Sequence, residues 1–258
     1  MIPFPALLCA VAPESLGRLR PYPLTPALLA YQLGPGPRLL RAAPPTPLGG
    51  GLLAVREGEE PVSGDFAFFC RQAVRECQAR GARGVFVNWG QFQRGLWQLT
   101  HALGESLARV GLSLYVPERY AGAAPGAKVL LSSALSGGSL ELRLREGLER
   151  YGPERTVLAL ERMAEDFDLP SPSGCGTPLS PEALDRLRRR TGASVFWSGE
   201  LCARYFTYAE GQRVHFVLFD DGACLRQKLE LAHRLGIRQA MCAWDEIAAC
   251  APVWFGQG

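Results

Sequence analysis

Lysine is almost absent from this 258-residue chain: Lys128 and Lys228 are its only two, so nearly all of its 28 cationic side chains are arginines. They are scattered over helix-like segments and nearly matched by 25 acids, leaving a net charge of +3. A weak, dispersed excess of this kind describes a solvated helical face and excludes nucleic acid as a partner. Histidine is scarce as well, with only His101, His215 and His233, and none of the eight cysteines forms a C-x-x-C pair. Zinc needs ligands at short fixed spacings, so no metal is expected, and no cofactor either. Cysteines inside apolar runs such as "AMCAW" and "DGACL" read as free thiols of a reducing compartment, not as a disulfide framework. No apolar run reaches the length that spans a bilayer, so a membrane is not an expected partner. The start, "MIPFPALLCAVAPES", lacks the basic n-region of a secretory signal, and Pro3 and Pro5 interrupt its apolar core. Leu7 to Ala12 reads instead as a first buried strand, and the expected location is the cytoplasm.

What is present is a repeated sentence. At 47% hydrophobic and 21% charged residues, the chain has the composition of a globular protein. From residue 65 onward an amphipathic helix ends in glycine and a short apolar strand follows. Phe66, Phe69, Cys70, Ala73, Val74 and Cys77 share one stripe, Gly81 stops the helix, and Val85–Val87 is a strand. The helix of Leu96, Leu99, Leu103 and Leu107 leads through Gly111 to "LSLYV". "KVLLSS" precedes the helix of Leu140, Leu144 and Leu148, which ends at "YG" before "TVLAL". Ser180-Pro181 opens a helix that stops at Gly192 before "SVFW". The last helix, with Leu225, Leu229 and Ala232, ends at Gly236 before "RQAMCAW". Apolar strands without alternation are buried on both faces, as in a parallel sheet. With "LLCAVA", "LLAYQL" and "GLLAV" the count reaches about eight, and the expected fold is a single (β/α)8 TIM barrel over residues 1–258. The alternative, a doubly wound open sheet, lacks a G-x-G-x-x-G turn after the first strand.

The N-terminal third departs from this pattern. Residues 13–26 and 34–50 carry "RPYPLTP", "GPGP" and "APPTP", which cannot make full crossover helices. Irregular loops cover that flank, or a partner does, which makes a homodimer through the proline-rich flank an expectation.

The segment "YFTYAEGQRVHFVLFDDGACLRQKLELAHRLGIRQAMCAW" (205–244) resembles the end of family 18 glycoside hydrolases, especially their bacterial spore-cortex and chitinase-like branch. Tyr208, Gly211, His215, Asp220 or Asp221, Lys228, Gly236 and Trp244 carry the match. The resemblance implies the same barrel. It also implies a D-G-x-D-x-D-x-E signature at the end of the fourth strand, whose final glutamate is the general acid and whose preceding aspartate positions the substrate's N-acetyl group. That signature falls on "RGVFVNWG". Arg83, Phe86 and Asn88 stand at the three aspartate positions and Gly90 at the acid. The tyrosine and aspartate that the family carries after its sixth strand are missing from "KVLLSSALSGG" as well. General acid–base help is worth on the order of 10²–10⁴-fold, and glycine cannot give it.

Strand ends at the mouth of such a barrel supply the remaining candidates. For catalysis these are Glu118 and Glu161 as a displaced carboxylate pair, with Asp245 third. For ligand binding they are Trp244 as a sugar platform, together with Asn88, Trp89, Glu57 and Tyr115. Trp244 also reads as a core residue, "PERY" and "LERM" also read as surface ion pairs, and Asp166 and Asp168 as a solvated loop. The sequence thus points to a family 18-like pseudoenzyme that binds an oligosaccharide or peptidoglycan fragment containing N-acetylglucosamine. Its rivals are a glycoside hydrolase using displaced carboxylates and a protein-interaction module.

Overall fold

The computed structural model describes residues 7–171 and 174–256. The proline-interrupted start at 1–6 and Pro172 of the loop after Leu169 lie outside the described residues. In chain order the strands are β1 (Leu7–Val11), β2 (Leu24–Gly34), β3 (Arg38–Arg41), β4 (Leu52–Arg56), β5 (Gly84–Asn88), β6 (Ser113–Pro117), β7 (Lys128–Ser132) and β8 (Thr156–Leu160). Then come β9 (Ala164–Leu169), β10 (Thr177–Pro178), β11 (Phe196–Ser198), β12 (Ala203–Glu210), β13 (Arg213–Phe219) and β14 (Gln239–Ala243). β2, β4, β5, β6, β7, β8 and β14 pair in parallel in that order, and β1 pairs with both β14 and β2. The sheet therefore closes into an eight-stranded parallel barrel, as the apolar runs predict.

The crossover helices follow the glycine-stopped pattern. α1 (Ala67–Arg80) buries Phe69, Cys70, Ala73 and Cys77 and ends at Gly81, whose φ of 63° is the left-handed conformation that glycine adopts without strain. α2 (Arg94–Ala108) and α3 (Leu140–Tyr151) pack their leucine stripes on the barrel in the same way. α4 (Pro181–Thr191) starts at Ser180, whose hydroxyl accepts from the Ala183 N–H. α5 (Gly222–Arg234) starts at Asp221, which accepts from the Ala223 and Cys224 N–H groups. Between β1 and β2 there is only a seven-residue 3-10 turn, Pro13–Leu19. β3 folds back on β2 as a hairpin, and no helix precedes β4. Proline content removed the helices here, and β3 covers part of the flank, with Leu39 packed on the core and Leu40 exposed.

Side-chain alternation builds two shells. Leu8, Ala54, Phe86, Tyr115, Leu130 and Met241 fill the barrel interior. Leu53, Val55, Val85, Val87 and Val116 face outward to the helices. No helix among the described residues is long and apolar enough to cross a membrane.

One part differs from the expected barrel. Between β8 and β14 the chain inserts a five-stranded antiparallel sheet ordered β10-β9-β13-β12-β11. "SVFW" is therefore not a strand of the barrel, and α4 packs on this sheet through Leu187, Phe206, Val217 and Phe219. Asp166 and Asp168 lie on strand β9, not on a loop. Asp166 is half-buried, accepting from the Tyr208 hydroxyl at 2.6 Å and lying 3.1 Å from His215 Nδ1. The insertion is tied to the barrel by a buried ion pair, Lys228 Nζ to Asp220 Oδ2 at 2.6 Å, and the same oxygen accepts from the Met163 N–H at 2.8 Å. Burial raises the Asp220 pKa, and the Lys228 ammonium opposes that rise.

Candidate functional site

Each barrel strand places alternate residues inward, so the inward positions at the strand ends form the mouth. On β5 these are Phe86 in the interior and Asn88 above it, with Gly90 following in the same sense. On β7 and β8 Ser132 and Glu161 stand above Leu130 and Ala159. A cavity of about 960 Å³ opens at this end, and Asn88, Trp89, Gly90, Glu118, Arg119, Ser132, Arg143, Arg150, Tyr151 and Glu161 line it.

Glu118 and Glu161, predicted as a pair, both line the cavity, but each is engaged separately. Glu118 is bound by the Arg143 guanidinium and by the Tyr151 hydroxyl at 3.2 Å, with Arg150 at 3.8 Å. All three partners come from α3, so this carboxylate is clamped to a helix. Glu161 accepts from the Ser132 hydroxyl, and its own N–H donates to Ser133 Oγ at 3.0 Å. Arg119 donates to the Gly90 carbonyl.

The other candidates separate. Asn88 is exposed at the mouth. Trp89 lines the cavity but is buried, and its Nε1 donates to Thr100 Oγ1 on α2 at 2.9 Å. Trp244 is not a platform at the mouth: it is 5% exposed, packed in the outer shell, with Tyr22 at 5.9 Å between ring centroids. Tyr115 points away from the mouth, its hydroxyl donating to Gln239 Oε1 at 3.2 Å at the opposite end of the barrel. Asp245 is exposed on the short helix α6 (Trp244–Ile247) and lines no part of the cavity.

Its neighbour Glu246 is the half-buried acid at that strand end. It accepts from the Arg162 N–H at 3.3 Å, and its pKa is raised by burial and then by the nearby Glu161 charge. Arg143, Arg150 and Tyr151 are absent from strand-end reasoning because they arrive from a helix. The seven-residue spacing of the two arginines, two turns on one helix face, was the available signal.

Glu57, at the end of β4, reaches across to the fourth strand. Its Oε1 accepts from the Gly90 N–H at 3.2 Å, and a Cβ added at Gly90 would lie 2.7 Å from that oxygen. Its Oε2 is buried with no hydrogen-bond partner.

No known protein-family model matches the chain. No curated protein matches it by sequence. Solved structures do match in fold. A class V chitinase from Pseudomonas fluorescens aligns with a TM-score of 0.64 at 14% identity, over 92% of this chain and 94% of that one. A class V chitinase from Nicotiana tobaccum in complex with NAG4 aligns at 0.63 and 11%, over 92% of each chain. The spore cortex-lytic enzyme SleL of Bacillus megaterium aligns at 0.61 and 15%, over 93% of this chain and 70% of that one. The chain thus has the (β/α)8 barrel fold of the family 18 glycoside hydrolases, with the same kind of barrel that the "HFVLFDD…AMCAW" resemblance implies.

Proposed function

We propose that this barrel binds a saccharide containing N-acetylglucosamine and does not hydrolyse it by the family 18 route. The observation that carries this reading is Gly90. It lies at the mouth, two residues beyond the inward-facing Asn88 on an intact fourth strand, where the family's signature would put its acid, and it borders an open cavity. A glycine there supplies no proton. The cavity of about 960 Å³ lies within the size range of small-ligand sites. A row of rings runs along the inserted sheet, which packs against Ala134 beyond β7. Phe196, Tyr205, Phe216 and Phe167 follow one another at 5.6, 5.4 and 6.1 Å between centroids. These rings pack on one another within the inserted sheet and do not line the cavity.

A second reading, hydrolysis by displaced carboxylates, is favoured by the presence of both Glu118 and Glu161 at the cavity. The clamp of Arg143, Arg150 and Tyr151 on Glu118 speaks against it, because both carboxylate oxygens are engaged by α3. Calorimetric titration with NAG4 and with spore-cortex peptidoglycan fragments tests the proposal. Saturable binding by the wild type, weakened in Asn88→Ala, is the expected outcome. No heat with any saccharide would overturn it.

A further inference from the structure

Six charged side chains line the mouth cavity: Glu118, Arg119, Arg143, Glu146, Arg150 and Glu161. Most of them answer one another. Glu118 binds the Arg143 guanidinium and lies 3.8 Å from Arg150. Glu146 follows Arg143 by three residues and precedes Arg150 by four, so it shares their face of α3. Glu161 accepts from the Ser132 hydroxyl. Arg119 is the exception: among the described residues its guanidinium meets a backbone carbonyl and no carboxylate.

The chain fixes where this cation stands. Arg119 lies in a short 3-10 turn, Glu118–Tyr120, directly after β6. Tyr120 beside it is buried, and its hydroxyl donates to the Gln91 carbonyl at 2.7 Å and accepts from the Gln93 N–H at 3.1 Å. Arg119 itself donates to the Gly90 carbonyl. The turn after β6 therefore grips the loop after β5 at three points, and it holds a guanidinium at Gly90, where the family's signature would put its acid. Glu57 accepts from the N–H of the same glycine but does not line the cavity. A guanidinium has five N–H donors, and one carbonyl leaves most of them for a ligand in the cavity that Arg119 lines.

We infer that Arg119 selects an acidic saccharide at this mouth: a chain containing N-acetylglucosamine whose neighbouring sugar carries a carboxylate, which docks on the guanidinium beside Gly90. This rests on the saccharide reading of the cavity and adds the substrate class and the residue that reads it. Guanidinium and carboxylate match as two parallel hydrogen bonds, stronger and more directional than contacts between neutral groups. A neutral N-acetylated chain offers Arg119 no group of opposite charge. Glu161 follows β8, three strands around the barrel from β5, and a carboxylate there accepts from sugar hydroxyls. The ligand is thereby oriented, with its acid at Arg119 and hydroxyl groups toward Glu161.

The test is calorimetric titration of the full-length protein with three tetrasaccharides, run beside thermal unfolding of the same samples. One is neutral NAG4, one alternates N-acetylglucosamine with glucuronic acid, and one alternates it with its lactyl ether, N-acetylmuramic acid. At low salt at least one acidic chain should bind about tenfold more tightly than NAG4, the gain expected from one charge-assisted contact. That advantage should shrink as salt rises, because exposed charges are screened. Whichever acidic chain gains shows whether the carboxylate is carried on the ring or on the ether. Arg119→Gln should bring the acidic chains down to the affinity of NAG4 in a protein whose unfolding midpoint stays close to that of the wild type. Arg119→Lys, which keeps the charge and loses the fork, should retain part of the preference. Equal wild-type affinity for all three chains, or a preference that survives in Arg119→Gln, would overturn the role of Arg119 and leave the saccharide reading standing. A wild type that binds none of them would overturn both.

Discussion

The two sides of the barrel mouth hold carboxyl groups in opposite states. On the β6 side, Glu118 is surrounded by donors from α3, namely Arg143, Tyr151 and Arg150. On the β4–β5 side, Glu57 holds a single backbone N–H and buries its second oxygen without a partner. The first is architecture: it pins a crossover helix to a strand end. The second is held by one backbone N–H of the neighbouring strand end and has no cationic partner among the described residues. Two glutamates that follow barrel strands on either side of β5 thus differ in what holds them. Only their partners tell them apart.

The division can be strained from its extreme case downward. Lys228 and Asp220 are the most deeply buried acid–base pair, 1% and 0% exposed at the side chain. Lys228→Ala should cost about 3–5 kcal/mol in urea unfolding, because it strands a buried carboxylate. A loss under about 1 kcal/mol would show that such pairs are not braces in this protein. Glu118→Gln is the milder version at the mouth, where Glu118 and Arg143 are about a quarter exposed. It should cost about 1 kcal/mol, while Glu57→Gln costs nothing measurable. Equal costs would erase the contrast.

The smallest effect belongs to Glu246, whose pKa is raised by burial and by Glu161. The folded state then holds this proton more tightly than the unfolded chain does, so stability falls as pH rises through a window that opens at the ordinary glutamate value of about 4.3 and extends upward. Glu246→Gln should flatten that part of the stability–pH curve and help slightly at neutral pH. Thermal midpoints across the acid-to-neutral range read it.

Much of the barrel was legible in the residues. Each of its eight strands is a short apolar run burying both faces, and glycines 81, 111, 152, 192 and 236 follow helices at positive φ. The proline-rich third gave no crossover helices because its prolines forbid them. What escaped was the inserted sheet. "SVFW" follows a capped helix and a glycine just as the barrel strands do, and only antiparallel pairing with β12 distinguishes it. At the site, Gly90 and its place just past the fourth strand were readable along one strand. Trp244 was not: a tryptophan at a strand end reads alike whether it faces the mouth or the helix shell, and the alternation that sends it outward to Tyr22 depends on where β14 stops. The Glu57–Gly90 contact joins residues 33 positions apart across neighbouring strands, and no spacing rule within either strand announces it.

The central claim is that the mouth binds its saccharide and leaves it uncut. Its most direct test is the fate of NAG4 held at saturating wild-type protein over a long incubation, with bound sugar quantified and recovered sugar weighed by mass spectrometry. The account predicts saturable binding and a tetrasaccharide recovered intact. Shorter N-acetylated products released by the wild-type protein, whichever substitution abolishes them, would contradict it.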